Sequence, residues 1–309
     1  MGIAVVAVDE LADDIVQRAS DARYAAKRAG GDRYQVAGPL DTSEAQQRME
    51  LEAALRRAMD SAHHEVQLVF QPIVDRAGRP VAAEALLRWN HPRRGPLMPA
   101  DFLELAESAG LMPELGQFVL EKSVLAAAEW AAAGHPLQVA VNIAARQLGS
   151  GALERLVRRL LDDTAMSPEL LCLEVTESVL VNADSPELAE LHRLRALGCK
   201  IALDDFGTGY SPLTYLKRLP ATTLKLDRSF VEGLNHPEPD SIGLAIARSV
   251  LRLGVETGLS VIAEGVESQR QFEVLVGLGY ELFQGYWAHF PMPSSELATL
   301  LGRSAAAGG

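Results

Sequence analysis

Long apolar runs, abundant cysteine and excess positive charge are all missing from this chain of 309 residues. No apolar run approaches the roughly 20 residues needed to cross a bilayer. The first residues also lack the basic, apolar and small-residue order of a secretory signal. Cysteine occurs only at Cys172 and Cys199, in apolar strand-like stretches, which predicts buried free thiols in a reducing compartment. We therefore expect a cytoplasmic protein without membrane contact.

Negative charge dominates the composition. The chain has 41 Asp and Glu residues against 29 Lys and Arg residues, a formal net charge of −12. This balance argues against broad electrostatic binding to polymeric nucleic acid or an anionic membrane. A small anionic ligand remains compatible with it, provided that the binding site supplies local positive charge, for example through a metal ion.

Eight strand-like runs alternate with helical patterns after about residue 65. Such alternation predicts parallel strand–helix–strand units, and eight of them predict an α/β fold of the (β/α)8 TIM-barrel type. The runs are VQLVFQPIV, VAAEALLRW, LQVAVNIA, LCLEVTESV, CKIALDDFG, TTLKLDRSF, LSVIAEGV and ELFQGYW.

The connection between the first two of these strands is too short for a regular barrel. Only DRAGRP, residues 75–80, separates them. Six residues can form a hairpin, whereas a parallel crossover needs a dozen or more. We therefore predict a modified TIM barrel whose first strand is antiparallel to the rest.

Polar residues recur at the predicted carboxyl ends of the strands, where TIM barrels carry their chemistry. A single carboxylate there is more often a turn former or a helix cap than a ligand. A converging set is harder to explain that way, because unpaired buried charge is costly. The set consists of Glu84, Asn142, Glu174, Asp204, Asp205, Lys225, Glu264 and Gln284.

The residue types in this set indicate a metal site. Carboxylates and an amide oxygen are hard ligands suited to Mg²⁺ or Mn²⁺. Five carboxylates with one lysine carry more negative charge than one divalent ion neutralises, so we expect two ions bridged by one aspartate. Two-metal sites of this kind perform in-line displacement at phosphate.

Two further residues are candidates for ligand binding. The period of two along a strand places Glu84, Leu86 and Arg88 on one face. Arg88 would then bind a substrate phosphate, although an Arg–Glu ion pair that closes the barrel bottom remains an alternative. Gln71, just before Pro72, is a weaker candidate for ligand contact.

Seven motifs, in this order, resemble the EAL-domain cyclic-di-GMP phosphodiesterases of bacteria. The likeness runs from about Arg48 to about Leu301 and implies a TIM-like barrel with one antiparallel strand. It also implies a homodimer and metal-dependent hydrolysis of cyclic-di-GMP to the linear dinucleotide pGpG. The motifs are EALLRW (84–89), VNIA (141–144), LEVTES (173–178), LDDFGTGYS (203–211), LKLDRSFV (224–231), VIAEGVES (261–268) and FQGYW (283–287).

The resemblance implies a role for each matching residue. Asp204 would bridge to a second ion that Asp205 also holds, and Lys225 would position or polarise the attacking water. Glu264 would support the second metal or act as a base, and the sequence leaves both roles open. The implied ligands of the first metal are Glu84, Asn142, Glu174 and Asp204. The implied lining of the dinucleotide pocket is Gln71, Leu86, Arg88 and Gln284.

The loop FGTGYSPL after Asp205 shows one departure from the family pattern. In the family this loop couples dimerisation to metal binding, and Glu177 is implied as its anchor. The family usually reads Ser-Ser-Leu after the tyrosine, whereas this chain reads Ser-Pro-Leu with Pro212. Proline is well tolerated in the first turn of a helix. No catalytic position departs from the pattern, so we expect an active enzyme.

The N-terminal segment resembles a different family. DARYAAKRAGGDRYQVAGP, residues 21–39, is similar to the C-terminal end of a GGDEF (diguanylate cyclase) domain, without the cyclase signature itself. We therefore expect a GGDEF remnant over residues 1–40 and an EAL domain over residues 41–309, with a core of about 48–301. This order is compatible with a piece of a longer sensor protein.

Two other functions compete with hydrolysis of cyclic-di-GMP as interpretations of this sequence. The first is a receptor or regulatory module that binds cyclic-di-GMP without turnover. The complete acidic set with Lys225 argues against it, because a pure binder gains nothing from a water-activating arrangement. The second is a barrel phosphodiesterase for another substrate, which the motif set disfavours.

Overall fold

The computed structural model describes residues 1–5, 12–28, 34–37, 42–60, 65–177, 185–207, 218–235 and 241–307. It forms two compact units, Met1–Asp60 and Ser61–Gly309. The first unit contains β1 (Gly2–Ala4), α1 (Ala12–Arg28), β2 (Gln35–Ala37) and α2 (Thr42–Asp60). β1 and β2 lie on either side of α1 in the sequence and pair in parallel. Their assignment to a GGDEF remnant and the domain boundary after residue 40 stay predictions.

The second unit contains nine strands and eight α-helices within its described residues. Its strands are β3 (Val66–Asp75), β4 (Pro80–His91), β5 (Gly95–Leu97), β6 (Gln138–Asn142), β7 (Leu171–Thr176), β8 (Lys200–Phe206), β9 (Thr223–Leu226), β10 (Ser260–Ala263) and β11 (Leu282–Gln284). Its helices are α3 (Pro99–Ser108), α4 (Met112–Ala132), α5 (Ala152–Thr164), α6 (Pro186–Ala196), α7 (Ser229–Glu232), α8 (Ser241–Thr257), α9 (Gln269–Leu278) and α10 (Ser294–Ala307).

Eight of these strands close into a barrel, as the sequence predicts. The order around the barrel is β3, β11, β10, β9, β8, β7, β6 and β4, and β4 closes it by pairing with β3. β3 is antiparallel to both of its neighbours, while the other barrel pairs are parallel. The modified TIM barrel with a reversed first strand is therefore confirmed.

The hairpin between β3 and β4 follows from its local chemistry. The Asp75 carboxylate accepts hydrogen bonds from the backbone N–H groups of Ala77 and Arg79, at 2.8 Å and 3.0 Å. Gly78 adopts a φ of +75°, which glycine reaches without a steric penalty. A short polar turn thus reverses the chain where a helical crossover would otherwise be needed.

The barrel wall separates two kinds of packing. Outward-facing apolar residues such as Val139, Leu171 and Leu173 are buried in the main core. Facing inward, Ala140, Cys172 and Ala202 form a small cluster of their own. Successive inward residues are two positions apart, so the next inward side chains on these strands are Asn142, Glu174 and Asp204. A layer of small residues therefore lies directly below the polar set.

The thiol prediction is confirmed, since Cys172 and Cys199 are both free and buried. Within the described ranges, no helix combines the length and apolarity that a membrane span requires.

Candidate active site

Strand geometry brings the predicted polar residues together at one end of the barrel. Asn142 of β6 lies directly beside Glu174 of β7. Lys225 lies near the end of β9, paired with Ile262 of β10, and Glu264 follows β10 immediately. Parallel strands end at a common face, so these side chains converge although up to about 120 residues separate them along the chain.

The adjacent carboxylates Asp204 and Asp205 lie in an irregularity of β8. The register of β8 with β9 shifts between Leu203 and Phe206. As a result, the two aspartates of β8 lie opposite a single residue of β9, Lys225. Asp205 has a φ of +55°, in the left-handed region that aspartate tolerates better than most residues. This bulge cancels the usual alternation of a strand. It explains how two successive side chains serve one site.

A buried lysine occupies the centre of the acidic residues. The Lys225 side chain is 1% exposed, and its Nζ lies 2.6 Å from Glu264 Oε1 and 2.8 Å from Glu174 Oε2. Asp204 Oδ1 and Glu84 Oε2 follow at 3.3 Å and 3.5 Å. One ammonium group is therefore the shared counter-charge of four carboxylates.

Amide side chains hold Glu84 from the other side. Asn142 Nδ2 donates to Glu84 Oε1 at 2.6 Å, and Gln284 Nε2 donates to Glu84 Oε2 at 2.6 Å. Gln284 Nε2 also lies 3.3 Å from Gln71 Oε1, while Gln71 Nε2 donates to the His289 carbonyl at 3.3 Å. The weak candidate Gln71 thus belongs to the same network as Gln284 and Glu84.

The pKa values of the buried acids shift in opposite directions. For Glu84, burial pushes the pKa up, but the Lys225 ammonium and the hydrogen bonds from Gln284 and Asn142 outweigh it, so the pKa is lowered. For Glu174, burial dominates and raises the pKa well above its ordinary value despite Lys225. For Lys225, burial favours the neutral form, yet Glu174 and Glu264 keep the pKa well above its ordinary value.

Two carboxylates of the cavity lining, Glu264 and Asp205, hold protons more tightly than usual. Burial, opposed by Lys225, raises the pKa of Glu264 to about 8. Burial together with the charges of Asp204 and Asp227 raises the pKa of Asp205 to about 6. The lysine therefore compensates only part of the local negative charge.

The donor set fits a divalent metal. Asp204, Asp205 and Glu264 each offer a carboxylate oxygen, and these oxygens lie within 4.8 Å of one another. Among the described residues, the buried atom Glu174 Oε1 accepts no hydrogen bond, and Asp204 Oδ1 has only its 3.3 Å ion-pair contact with Lys225 Nζ. Buried carboxylate oxygens without a donor are costly, and hard cations prefer such ligands. The acidic cluster is thus a candidate site for a divalent ion.

An open cavity of about 310 Å³ adjoins the acidic cluster. Of its lining residues, Gln71, Glu84, Asp205, Glu264 and Gln284 were predicted from the sequence as site residues. Four side chains of the lining were not predicted: Asp227, Arg228, Glu267 and Tyr286. All four fall inside the motifs LKLDRSFV, VIAEGVES and FQGYW, so position within a motif was the available signal.

Leu86 and Arg88 lie farther along β4 and do not contribute to the cavity lining. Both are half-buried. Arg88 Nη1 donates to the Leu87 carbonyl at 2.7 Å. Burial lowers the pKa of Arg88, and the nearby groups of Tyr286 and Glu84 oppose that shift. In the described part of the chain no carboxylate forms an ion pair with Arg88, so the Arg–Glu pair considered from the sequence is not seen there.

Glu177 contacts the start of the loop after Asp205. Its Oε1 accepts a hydrogen bond from the backbone N–H of Gly207 at 2.9 Å. Residues 208–213 of the loop FGTGYSPL, including Pro212, lie outside the described residues. The structure thus places Glu177 where an anchor of this loop would be needed.

Comparison with known proteins gives consistent results. The EAL domain family model matches residues 52–291. The chain is 38% identical over 300 residues to the bifunctional diguanylate cyclase/cyclic di-GMP phosphodiesterase MucR of Pseudomonas aeruginosa. The aligned region covers 96% of this chain and 43% of MucR. The chain spans between about a third and a half of the length of the first curated relatives that it matches.

Solved structures of EAL domains superpose on the barrel. The PaMucR phosphodiesterase in complex with c-di-GMP matches with a TM-score of 0.74 and 40% identity, over 82% of this chain and 99% of that one. The FimX EAL domain of Pseudomonas aeruginosa bound to c-di-GMP matches with a TM-score of 0.69 and 26% identity, over 78% and 95% of the two chains. With the family model matching most of its length, this chain belongs to the EAL domain family.

Proposed function

We propose that this chain hydrolyses one phosphodiester bond of cyclic-di-GMP to give linear pGpG, as part of bacterial second-messenger signalling. The observation that carries the proposal is the buried Lys225 among four carboxylates, beside an open cavity at the carboxyl ends of the barrel strands. One relative named as a bifunctional diguanylate cyclase/cyclic di-GMP phosphodiesterase, and related structures in complex with c-di-GMP, support the choice of substrate.

The proposed cofactor is a pair of Mg²⁺ or Mn²⁺ ions. When bound, such ions supply Lewis acidity to a phosphate group and to a water molecule. Asp204 would contact both ions, and Asp205 would hold the second. The residues that would hold the first ion are Glu84, Asn142, Glu174 and Asp204.

Lys225 and Glu264 divide the proton chemistry between them. Because the surrounding carboxylates hold its pKa well above the ordinary value, Lys225 stays charged near neutral pH and cannot act as a base. Its ammonium can instead orient a water molecule and offset developing negative charge. Glu264, with a pKa of about 8 in the metal-free chain, is mostly protonated at neutral pH and must lose that proton, for example in exchange for a bound divalent ion, before it can accept another. Support of the second metal and the role of base are therefore both proposed roles for Glu264.

Substrate binding would use groups of the cavity lining together with groups that lie farther along β4, outside that lining. The amides of Gln71 and Gln284 can donate to phosphate or base oxygens, and the guanidinium of Arg88 can bind a phosphate through two parallel hydrogen bonds. Leu86 would add an apolar contact on the same strand face. A homodimer and a cytoplasmic location remain predictions from the sequence.

The decisive experiment is product analysis of the purified chain with cyclic-di-GMP and Mg²⁺ or Mn²⁺. We expect pGpG, its loss in EDTA, and a fall of at least about 100-fold in rate for Asp204→Asn, the scale seen when one charge-stabilising group is removed from an active site. The matched control is Asp162→Asn, which removes the same charge from an exposed position of α5.

The opposite outcome is equally informative. Tight binding of cyclic-di-GMP without pGpG under either ion would overturn the proposal and move the chain to the receptor class. Equal loss of activity in Asp162→Asn and Asp204→Asn would instead contradict the assignment of the site, because a nonspecific effect of charge removal would then explain both variants.

A further inference from the structure

Two neighbouring loops contribute charged residues to the cavity. The β9 loop (residues 227–235) follows β9 and carries Asp227, and the β10 loop (residues 264–268) follows β10 and carries Glu264 and Glu267; all three residues line the cavity. The backbone N–H of Glu264 donates to the Leu226 carbonyl at 3.1 Å, so the two loops begin side by side. The pairing of the two strands ends there, and other contacts must hold the loops together.

The two loops approach each other closely at one glycine. Gly265 has a φ of +66°, and a Cβ at this position would clash with the Cα and Cβ atoms of Arg228. Only glycine combines this backbone conformation with such a close contact. The β10 loop therefore lies against the backbone of the β9 loop, and a displacement of one loop displaces the other.

A buried glutamine in the first turn of α9 joins the two loops. Gln271 is 3% exposed. Its Oε1 accepts hydrogen bonds from the backbone N–H groups of Glu267 and Ser268 in the β10 loop, at 2.8 Å and 2.9 Å. Its Nε2 donates to the Val231 carbonyl in the β9 loop at 3.1 Å. One side chain thus uses its acceptor on one loop and its donor on the other.

The contacts of Gln271 exceed what helix capping needs. A capping box uses only bonds between the first turn of a helix and the residue before it, and Ser268 and Gln271 make those bonds at the start of α9. The bond from Gln271 to Val231 is additional. So is the bond from Ser268 Oγ to Asn235 Oδ1, at 2.8 Å. These two bonds tie the start of α9 to the β9 loop and fix the spacing of the loops.

The spacing of the loops sets the dimensions of the acidic cluster. Glu264 offers its carboxylate from the β10 loop, while Asp205 of β8 shares a side-chain hydrogen bond with Asp227 of the β9 loop. The ligand oxygens of Asp204, Asp205 and Glu264 lie within 4.8 Å of one another. Mg²⁺ demands near-ideal octahedral geometry, with ligands at roughly 2.0–2.1 Å. A small shift of the β10 loop relative to β8 therefore changes how many of these carboxylates reach one ion.

We propose that Gln271 is a positioning residue of the active site, which fixes Glu264 relative to the two aspartates of β8 through its bonds to both loops. Gln271 is not part of the cavity lining, so it acts only through the loops. This inference rests on the proposed function, because it assigns the metal site to these carboxylates. The competing explanation is capping alone, in which Gln271 stabilises α9 and leaves the acidic cluster unaffected.

Titration with Mn²⁺ in the absence of substrate separates the two explanations. The electron paramagnetic resonance signal of free Mn²⁺ measures how tightly the chain binds the ion. Gln271→Glu keeps the cap, since glutamate is a preferred residue there, but it places an acceptor against the Val231 carbonyl and loses that bond. We expect binding to weaken about 10-fold, the lower end of the range for groups that orient metal ligands without touching the metal. Gln271→Ala loses both contacts and should weaken binding at least as much.

Tyr280→Phe is the matched control. The Tyr280 hydroxyl donates to the Ala247 carbonyl at 2.8 Å, beyond the other end of α9, so this variant also loses one buried bond from a side chain to the backbone. Its Mn²⁺ affinity should equal that of the unchanged chain. Amide exchange at Glu267 and Ser268 reports the cap, whose protection should persist in Gln271→Glu and fall in Gln271→Ala.

The kinetics of pGpG formation complete the test. Gln271→Glu should be slow at limiting Mn²⁺, whereas saturating Mn²⁺ should restore most of kcat with little change in KM for cyclic-di-GMP. No pGpG from the unchanged chain, together with a Mn²⁺ affinity that depends on Gln271, would overturn hydrolysis but support the positioning role. Normal pGpG formation with the same Mn²⁺ affinity in the unchanged chain and in Gln271→Glu, or an equal loss of affinity in Tyr280→Phe, would overturn the positioning role alone.

Discussion

Glu84 and Glu264 contact the same ammonium group but hold their protons very differently. Glu84 accepts two strong amide hydrogen bonds in addition to its contact with Lys225, and its pKa is lowered. Glu264 has the shorter contact to Lys225, yet burial raises its pKa to about 8. The number of donors around each carboxylate therefore decides which one stays ionised.

This difference predicts how the stability of the metal-free chain depends on pH. A carboxyl group whose pKa is raised on folding contributes stability that is complete below its unfolded pKa and is lost as the pH rises through its folded pKa. For Glu264 this loss of stability extends from about pH 4.5 to about pH 8. Asp205, whose pKa is also raised, contributes a loss in the same direction up to about pH 6. In EDTA we expect the free energy of unfolding to fall between pH 5 and pH 9, measured by urea denaturation.

Mg²⁺ and a variant provide the controls for this prediction. Binding to the native state stabilises a protein by mass action, and protons compete for the same oxygens. Saturating Mg²⁺ should therefore stabilise the chain more at pH 9 than at pH 5. Glu264→Gln should flatten the slope in EDTA. A slope that remains as steep in Glu264→Gln would place its origin elsewhere in the chain.

At the residue scale, the sequence predicted which side chains matter better than how they contact each other. Glu84, Lys225 and Gln284 were identified from their positions at strand ends. The hydrogen bond between Gln284 and Glu84 joins residues 200 positions apart and depends on barrel closure, which local patterns do not encode. Tyr286 was missed because an aromatic residue beside a strand end looks the same whether it packs inward or faces a cavity.

At the scale of secondary-structure elements, a buried glutamate organises the connection between β6 and α5. Glu190 of α6 is fully buried. Its Oε2 accepts hydrogen bonds from the backbone N–H groups of Gly149 and Gly151, at 2.7 Å and 3.0 Å. Its Oε1 accepts one from Glu154 N–H at 3.0 Å, in the first turn of α5, where a negative charge is favourable. One carboxylate thus fixes the loop that follows Asn142.

Glu190→Gln should therefore destabilise the chain. The amide retains only one acceptor oxygen and turns an N–H₂ group toward backbone donors. We expect a loss of about 2–3 kcal/mol in the free energy of unfolding, since hydrogen bonds to charged groups contribute on that scale. Urea denaturation measures this loss, and faster amide exchange at Gly149 and Gly151 would locate it.

The control for this change is Glu256→Gln on α8, where an exposed ion pair with Arg252 spans one helical turn. Exposed pairs of this kind contribute little, so its unfolding should change far less. Equal effects of the two substitutions would show that the buried carboxylate has no special role.

The elements themselves were predictable to different degrees. The hairpin at DRAGRP followed from its length alone, because too few residues were available for a crossover. The bulge at Asp204 and Asp205 was not predicted. It arises from the pairing of β8 with β9, and a one-residue irregularity leaves the hydrophobic pattern of the strand intact.

At the scale of the whole molecule, the closed barrel protects both thiols. Cys172 faces the small-residue layer inside the barrel, and Cys199 is fully buried in the main core. Burial raises the pKa of both thiols, that of Cys199 to about 11. A buried, protonated thiol is a poor nucleophile. Reaction of these groups therefore requires the packing around them to open, inside the barrel for Cys172 and in the main core for Cys199.

Thiol labelling should consequently report global unfolding. With a disulfide reagent at pH 8, we expect no thiols to react rapidly in the native chain and two to react in denaturant. Adding urea in steps should make both thiols reactive together, with the same midpoint as the loss of helical circular dichroism. Rapid labelling of one thiol in the native chain would contradict this and reveal local opening near Lys200.

The reversed direction of β3 also determines where the backbone enters the barrel. Val66 pairs with Trp89, beyond Glu84 on β4 and thus at the rim that carries the acidic residues. In a barrel of eight parallel strands the chain would enter at the opposite rim. A pull or twist transmitted along the backbone into β3 therefore acts first at the rim that carries the acidic residues, and five residues later it reaches Gln71, so this fold gives mechanical input a short path to the candidate site.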